Sequence, residues 1–196
     1  MKKIFAGLFV ITFAVAAFLI AGGNDKIPNG WYPAGSNPSA YEMGVDNSSS
    51  QSGNACAFIK SKSPKQNEFG TLMQTFSAED YLGKRLKLSG YVKTENVESW
   101  SCIWMRIDDK NNQQVGFDNM MNRPIKGTTE WKEYSIVLDV PANSNTINFG
   151  LLLAGNGKIW ADNFTLVEVD ESVPVTSIKK ENKFPTRPIN MDFEEK

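Results

Sequence analysis

Two indoles, a guanidinium and a carboxylate share one face of a strand that the alternation of residues 100–108 predicts. The opposite face is apolar and suits a protein core: Ile103, Met105 and Ile107. The polar and aromatic face carries Trp100, Cys102, Trp104, Arg106 and Asp108. Indole rings stack on the apolar faces of pyranose sugars, and Arg and Asp side chains bond hydroxyl groups in fixed directions. The pattern therefore predicts a ligand-binding face that suits a carbohydrate.

The next predicted strand, residues 114–120, adds Asp118 and Asn119 to the candidate ligand-binding set. A second interpretation applies to the two indoles, because large aromatic residues in a sandwich usually pack in its core. Core packing is the favoured interpretation for Trp104, and both interpretations stay open for Trp100.

The chain contains no histidine, which restricts its chemistry more than any other feature of its composition. Ser-His-Asp and Cys-His nucleophile pairs, imidazole acid–base catalysis and the usual catalytic zinc sites are all excluded. A carboxylate pair such as Asp108 with Asp118, as in a glycosidase, is one arrangement that remains. No motif supports it, so we expect a protein that is not an enzyme.

Cys56 and Cys102 are the only cysteines, and each lies in a strand-like run. An even number of cysteines permits a disulfide in an oxidising compartment, whereas two separate buried thiols are the alternative. Bridging requires Cα atoms within about 7 Å, a distance that the sequence does not contain.

Residues 1–23 have the composition of a targeting segment: two lysines, an apolar run over residues 4–20, and Ala21-Gly22-Gly23 for a signal peptidase. The run is long for a signal peptide and short for a membrane span. Cleavage is favoured, and an uncleaved anchor stays open. Either outcome exports the remainder, so we expect a protein that is secreted or tethered to the outer face of the cytoplasmic membrane.

The remainder of the chain is acidic and has the composition of one globular domain. The two lysines removed with residues 1–23 leave 19 basic and 22 acidic residues, a net charge of −3. This balance attracts neither nucleic acid nor an anionic membrane surface. We therefore expect no nucleic-acid partner, and membrane contact only if the N-terminal segment is uncleaved.

Short β-type runs separated by turns fill residues 30–169 and predict eight or nine strands. The most regular runs cover residues 55–60, 71–76, 85–93, 100–108, 114–120, 131–140, 146–154 and 158–168. The fold class that this spacing predicts is all-β, an antiparallel two-sheet jelly-roll sandwich. We assign residues 24–170 to the sandwich and the proline- and lysine-rich residues 171–196 to a tail.

Six strings in fixed order resemble the galactose-binding-domain-like jelly rolls, a superfamily that holds many carbohydrate-binding modules. They are GWY (30–32), YEMGVD (41–46), SGNA (52–55), SGYVKT (89–94), WKEY (131–134) and IWADNF (159–164). The chain looks closest to an accessory domain found alone or attached to bacterial AraC-type regulators and erythromycin-esterase-like proteins. The resemblance covers residues 30–170 and implies a fold more specifically than a function.

The resemblance also implies a structural calcium ion at Asp162, and no other cofactor. Domains of this kind pair that carboxylate with an opening Asn-hydrophobe-Asp-Phe-Glu string, which this chain carries only at its C-terminal end, with Asp192 and Glu194. Residues 189–194 are therefore a stub of a second copy, an edge strand in permuted order, or a disordered tail. All three interpretations remain open.

These observations favour an exported, non-catalytic module that binds a carbohydrate or a cell-surface glycan. The alternative is a structural or protein-interaction domain of the cell envelope without a small ligand. Regulation of transcription by this chain is disfavoured, because no helix-turn-helix pattern is present and export would separate the protein from DNA.

Overall fold

In the computed structural model, the described residues are 27–65, 67–177, 187, 190–192 and 194. Nine strands occupy them, together with two single 3-10 turns at Pro38–Ala40 and Glu79–Tyr81. The strands are Tyr32–Gly35 (β1), Tyr41–Asp46 (β2), Cys56–Ser61 (β3), Phe69–Ser77 (β4), Arg85–Asp109 (β5), Gln114–Asp118 (β6), Ile125–Asp139 (β7), Ser144–Ala154 (β8) and Lys158–Val169 (β9). The predicted all-β class is confirmed.

The 25-residue strand β5 joins two sets of strands. Its first half, residues 85–95, pairs with β7 and β9, and β9 continues through β3 to β2. Its second half, residues 100–109, pairs with β6 and β8, and β8 continues through β4 to β1. We call these sets the first and the second sheet. Every strand pair is antiparallel.

Irregular pairing marks the point where β5 leaves the first sheet. The register against β7 shifts between Val92 and Thr94, between Thr94 and Val97, and again before Ser101. Asn96, between the two halves, has a positive φ of 51°, which the short polar side chain of asparagine tolerates. The sequence predicts separate strands over residues 85–93 and 100–108, whereas bulges let one chain serve both sheets.

The core lies between the two sheets and follows the predicted apolar face of β5. Ile103, Leu151 and Leu72 stand side by side on β5, β8 and β4, and all three are fully buried. Trp31 covers one end of this core, with its ring 5.4 Å from that of Phe149 and 5.6 Å from that of Phe164. The aromatic residue before β1 therefore closes the core.

A second, smaller apolar cluster lies on the outer surface of the first sheet. It comprises Cys56, Phe58 and Trp160, with Trp131 packed against them. Asp46 accepts hydrogen bonds there from the Trp160 indole at 2.8 Å and from the Lys158 ammonium at 3.0 Å. The Lys158 ammonium also lies 4.1 Å from the centre of the Trp160 ring. Trp131 and Trp160 therefore have structural roles in this cluster.

No disulfide joins the two cysteines, which are free and buried. Cys56 belongs to the outer cluster of the first sheet, whereas Cys102 lies beside Leu152 in the second sheet. Burial raises the pKa of the Cys56 thiol to about 12 and that of Cys102 well above its usual value. Cys56 lies on the outer side of the first sheet, and Cys102 shares the outer side of the second sheet with Trp104, so the core separates the two thiols.

After β9 the chain returns to the edge of the first sheet. The backbone N–H of Thr176 donates to the carbonyl of Val137 at 2.9 Å, and the N–H of Val137 donates to the Thr176 hydroxyl at 2.8 Å. Arg85 donates to the carbonyls of Glu171 and Val173 at 2.9 and 2.8 Å. Residues 170–176 thus shield the outer edge of β7, an edge that would otherwise expose unpaired backbone groups.

The predicted targeting segment, residues 1–23, lies outside the described residues. Within the described part of the chain, no helix has the length and apolar character needed to span a membrane. The predicted edge segment 189–194 is described only in part, and Met191 and Asp192 lie there in a turn.

Acid should destabilise the outer cluster of the first sheet through Asp46. The Ser48 hydroxyl, and next the Trp160 indole, hold the pKa of this carboxyl well below its usual range. A lowered pKa stabilises the fold at neutral pH, and the contribution is lost as the pH falls from about 5 towards 2. Asp46→Asn should therefore be less stable at pH 7 and should flatten the pH dependence across this window.

Urea unfolding at a series of pH values measures this effect. Ser48→Ala, which removes one of the donors to Asp46, should lie between the wild type and Asp46→Asn. Parallel pH curves for all three proteins would show that Asp46 does not couple protonation to folding.

Candidate functional site

The predicted ligand-binding face is the outer surface of the second sheet, opposite the core. Paired residues on neighbouring strands point to the same side of a sheet. Trp104 on β5 pairs with Gly150 on β8, Gly150 pairs with Met73 on β4, and Met73 pairs with Tyr32 on β1. We call this surface the row face.

A line of hydrogen-bonded polar side chains crosses the row face. The Arg106 guanidinium donates to Asp108 at 2.7 Å, and the Asn148 amide nitrogen donates to the same carboxylate at 3.0 Å. Thr75 donates to the Asn148 oxygen at 2.7 Å, and the hydroxyls of Tyr32 and Thr75 lie 2.5 Å apart. We call these five residues the polar row. It connects four strands, from β5 through β8 and β4 to β1.

Exposure changes along the polar row. The side chains of Arg106 and Asp108 are 12% and 10% exposed, and Asn148 is buried. Thr75 is exposed, and Tyr32 retains 36% of its accessible surface. The charged end of the row is thus held within the sheet, and the hydroxyl end faces solvent.

Trp104 lies beneath the surface of the row face, at 3% exposure. Its indole N–H donates to the Thr71 hydroxyl at 2.8 Å, so the ring crosses over β8 to reach β4. Gly150 lies on β8 between the two, and a Cβ there would lie only 2.2 Å from the Leu72 carbonyl oxygen. Trp104 is a packing residue, as favoured from the sequence, whereas Trp100 is only partly buried.

Asp118 lies on the other side of the second sheet from the polar row. It pairs with Met105, whose side chain belongs to the core. Its carboxylate binds the Arg123 guanidinium at 2.7 and 3.2 Å and also accepts the N–H of Met120 at 2.8 Å. Asn119 is buried in the same turn, where its side-chain oxygen accepts the N–H of Met121 at 3.3 Å.

The structure therefore places Arg106, Asp108 and Trp104 along one face of β5, and separates Asp118 and Asn119 from them. Asp108 and Asp118 lie on opposite faces of the second sheet, and each is paired with its own arginine. Two carboxylates placed in this way cannot flank one glycosidic bond, as a glycosidase requires.

Three members of the polar row were not predicted from the sequence: Tyr32, Thr75 and Asn148. Asn148 carried a usable signal, because it is a polar residue within the otherwise apolar run of β8. Tyr32 and Thr75 lie 43 residues apart in the sequence and meet only through the pairing of β1 with β4.

Asp162, the predicted calcium ligand, holds a loop. One carboxylate oxygen accepts the backbone N–H groups of Gln51 and Ser52 at 3.0 and 3.1 Å, and the other accepts the N–H of Asn163 at 2.8 Å. Among the described residues, no three Asp, Glu, Cys or His side chains are grouped so that they could hold a metal ion. Asp162 is thus engaged by three backbone donors, and the calcium ion stays a prediction.

Sequence comparison identifies one relative with a substantial match. The chain is 45% identical over 172 residues to an uncharacterized HTH-type transcriptional regulator, YbfP, of Bacillus subtilis strain 168. The match covers 87% of this chain, and the chain spans 58% of the length of that relative. No family model matches the sequence.

Several solved structures with the same fold are carbohydrate-binding modules. The CBM22-1 xylan-binding domain from Paenibacillus barcinonensis Xyn10C superposes with a TM-score of 0.54 at 14% identity, covering 74% of this chain and 89% of that domain. A family 16 carbohydrate-binding module, module 2, superposes with a TM-score of 0.51 at 18% identity, covering 74% of this chain and all of that module. The chain therefore has the jelly-roll fold of these modules.

Asp108→Asn should destabilise the domain strongly, because it leaves the nearly buried Arg106 charge without its carboxylate. Breaking such a pair from one side costs about 3 kcal/mol or more. Glu168→Gln is the matched control, since it breaks the Lys84–Glu168 pair, in which the side chains are 41% and 53% exposed. Exposed pairs contribute less than about 1 kcal/mol. Urea unfolding of both variants at neutral pH measures the difference, and equal losses would contradict the structural role given to Asp108.

Proposed function

We propose that this protein is a non-catalytic module that binds a carbohydrate on the row face. The polar row carries this proposal. It presents hydroxyl groups to solvent at β1 and β4 and anchors them to a buried ion pair at β5. Sugar sites combine apolar rings for stacking with a few polar groups held in fixed directions.

Partly exposed aromatic side chains supply the apolar component. Tyr32 lies at one edge of the row face, and Phe117, which pairs with Arg106, lies at the opposite edge on β6. Four steps between strands separate these edges, about 19 Å at the usual spacing. Trp100 is partly buried on the same face. We infer that a chain of several sugar units, running across the strands, contacts these rings, while Trp104 supports the sheet beneath them.

The solved neighbours favour a carbohydrate over other ligands, since one of them is named as a xylan-binding domain. The regulator from Bacillus subtilis favours a different role, because its name describes DNA binding by a helix-turn-helix. The described residues of this chain contain no α-helix, and a helix-turn-helix requires two. We therefore do not carry the DNA-binding role over to this chain, and we propose that the part of the regulator that this chain matches is an accessory β-domain.

Binding to an oligosaccharide tests the proposal. Purified protein is titrated with xylohexaose while tryptophan fluorescence is followed, and a glycan array extends the search to other sugars. Tyr32→Ala should weaken binding about tenfold by removing a stacking ring and the end of the polar row. Val167→Ala changes a residue with 47% exposure on the first sheet and should leave the affinity unchanged.

Two results would count against carbohydrate binding at the row face. One is an array without a binder together with a fluorescence signal that no sugar changes. The other is a binder whose affinity falls equally in Tyr32→Ala and Val167→Ala. Stoichiometric recovery of an envelope protein with this chain, in place of sugar binding, would support the protein-interaction alternative.

We also propose that the module acts outside the cytoplasm, on the basis of residues 1–23. Cell fractionation with an antibody against the β-domain tests this step. Protein shortened by the length of the targeting segment, in the secreted or envelope fraction, is the expected result. Full-length protein in washed membranes would indicate an uncleaved anchor, and full-length protein in the cytosol would overturn export.

A further inference from the structure

The direction of each hydrogen bond along the polar row follows from its buried end. The Asp108 carboxylate is paired with the Arg106 guanidinium at 2.7 Å within the sheet. An ionised carboxylate has no hydrogen and can only accept. Any polar group that faces Asp108 must therefore donate to it.

Asn148 is the next member, and Asp108 determines which way its side-chain amide points. The amide carries a donating NH2 group and an accepting oxygen. Its nitrogen lies 3.0 Å from Asp108, as the carboxylate requires, and the oxygen therefore faces Thr75. Rotating the amide by half a turn would place its oxygen against the carboxylate, so that two acceptors would face each other without a hydrogen between them.

Thr75 in turn determines the direction of its hydrogen bond with Tyr32. The Thr75 hydroxyl has one hydrogen, which it donates to the Asn148 oxygen at 2.7 Å. Its contact with the Tyr32 hydroxyl at 2.5 Å must then be one in which Tyr32 donates and Thr75 accepts. The single hydroxyl hydrogen of Tyr32 is thus used inside the row, and only the lone pairs of its oxygen face solvent.

We propose that the Arg106–Asp108 pair is a positioning device, which acts through Asn148 and Thr75 to make the Tyr32 oxygen an acceptor for ligand hydroxyl groups. The direction of the bonds stands on the structure alone, whereas its use in recognition rests on the proposed carbohydrate binding. A ligand group that donates a hydrogen bond satisfies Tyr32. A group that only accepts would face another acceptor and would lose affinity.

The tyrosine Raman doublet tests the direction without any ligand. Its two intensities report whether a phenol oxygen donates or accepts a hydrogen bond. The spectrum of Tyr32→Phe subtracted from that of the wild type isolates Tyr32 from the other four tyrosines. The expected signal is that of a donating phenol.

Substitutions at Thr75 then show where the Tyr32 hydrogen goes. Thr75→Val removes the acceptor and should move the Tyr32 doublet to that of a water-exposed phenol, whereas Thr75→Ser keeps the hydroxyl and should restore the wild-type signal. Thr165→Val, on the exposed side of β9, is the matched control and should change nothing. An accepting phenol in the wild type, or a doublet that Thr75→Val leaves unchanged, would overturn the proposal.

Ligand selectivity tests the use of the acceptor in recognition. Wild-type protein should bind xylohexaose about tenfold more tightly than O-methylated xylohexaose, whose ether oxygens cannot donate. The ratio should fall in Thr75→Val, where Tyr32 is free to donate outward, and should persist in Thr75→Ser. An equal ratio of the two affinities in all three proteins would show that the Tyr32 acceptor has no role in ligand selectivity.

Failure of the proposed function gives a different pattern of results. If no protein in the set binds xylohexaose or any sugar on the array, carbohydrate binding fails while the Raman spectra still decide the direction of the row. If sugars bind and the Raman spectra show Tyr32 as an acceptor, the positioning device fails while carbohydrate binding stands.

Discussion

Strand β5 pairs with four other strands, and most of the domain depends on this pairing. Its first half stands between β7 and β9, and its second half stands between β6 and β8. One continuous backbone therefore belongs to both sheets, and the bulges around Asn96 let it pass from one to the other. A strand that is central in both sheets is packed on both of its faces. Few of its side chains can therefore be exposed to a ligand.

The second half of β5 shows that limit most clearly. Its core face carries Ile103, Met105 and Ile107, all fully buried, and its other face is also closed to water along most of its length. Trp104 fills the space above Gly150, and Arg106 lies against Asp108. The side chains with the greatest capacity for stacking and charge thus stabilise the sheet, and groups at the sheet edges are left to meet a ligand.

The buried side chains of β5 thus account for the stability of the fold, and the exposed groups at the sheet edges have to account for its function. The jelly roll is shared with modules that bind sugars, and a shared fold does not by itself transfer an activity. This chain carries a line of hydrogen bonds that begins at an ion pair within the sheet and ends at Tyr32. Because each member constrains the next, the Arg106–Asp108 pair sets the direction of the hydrogen bond at Tyr32.

Period-two alternation and turn residues determined the all-β class and most strand positions, because alternation alone shows which side chains share a face. The same alternation placed Trp104, Arg106 and Asp108 together. Only the tertiary structure decided that Trp104 is buried, that Asp118 turns towards the core, and that Tyr32 and Thr75 complete the polar row. The register between strands that are distant in sequence determines which residues become neighbours. That register depends on how the whole sheet pairs and packs.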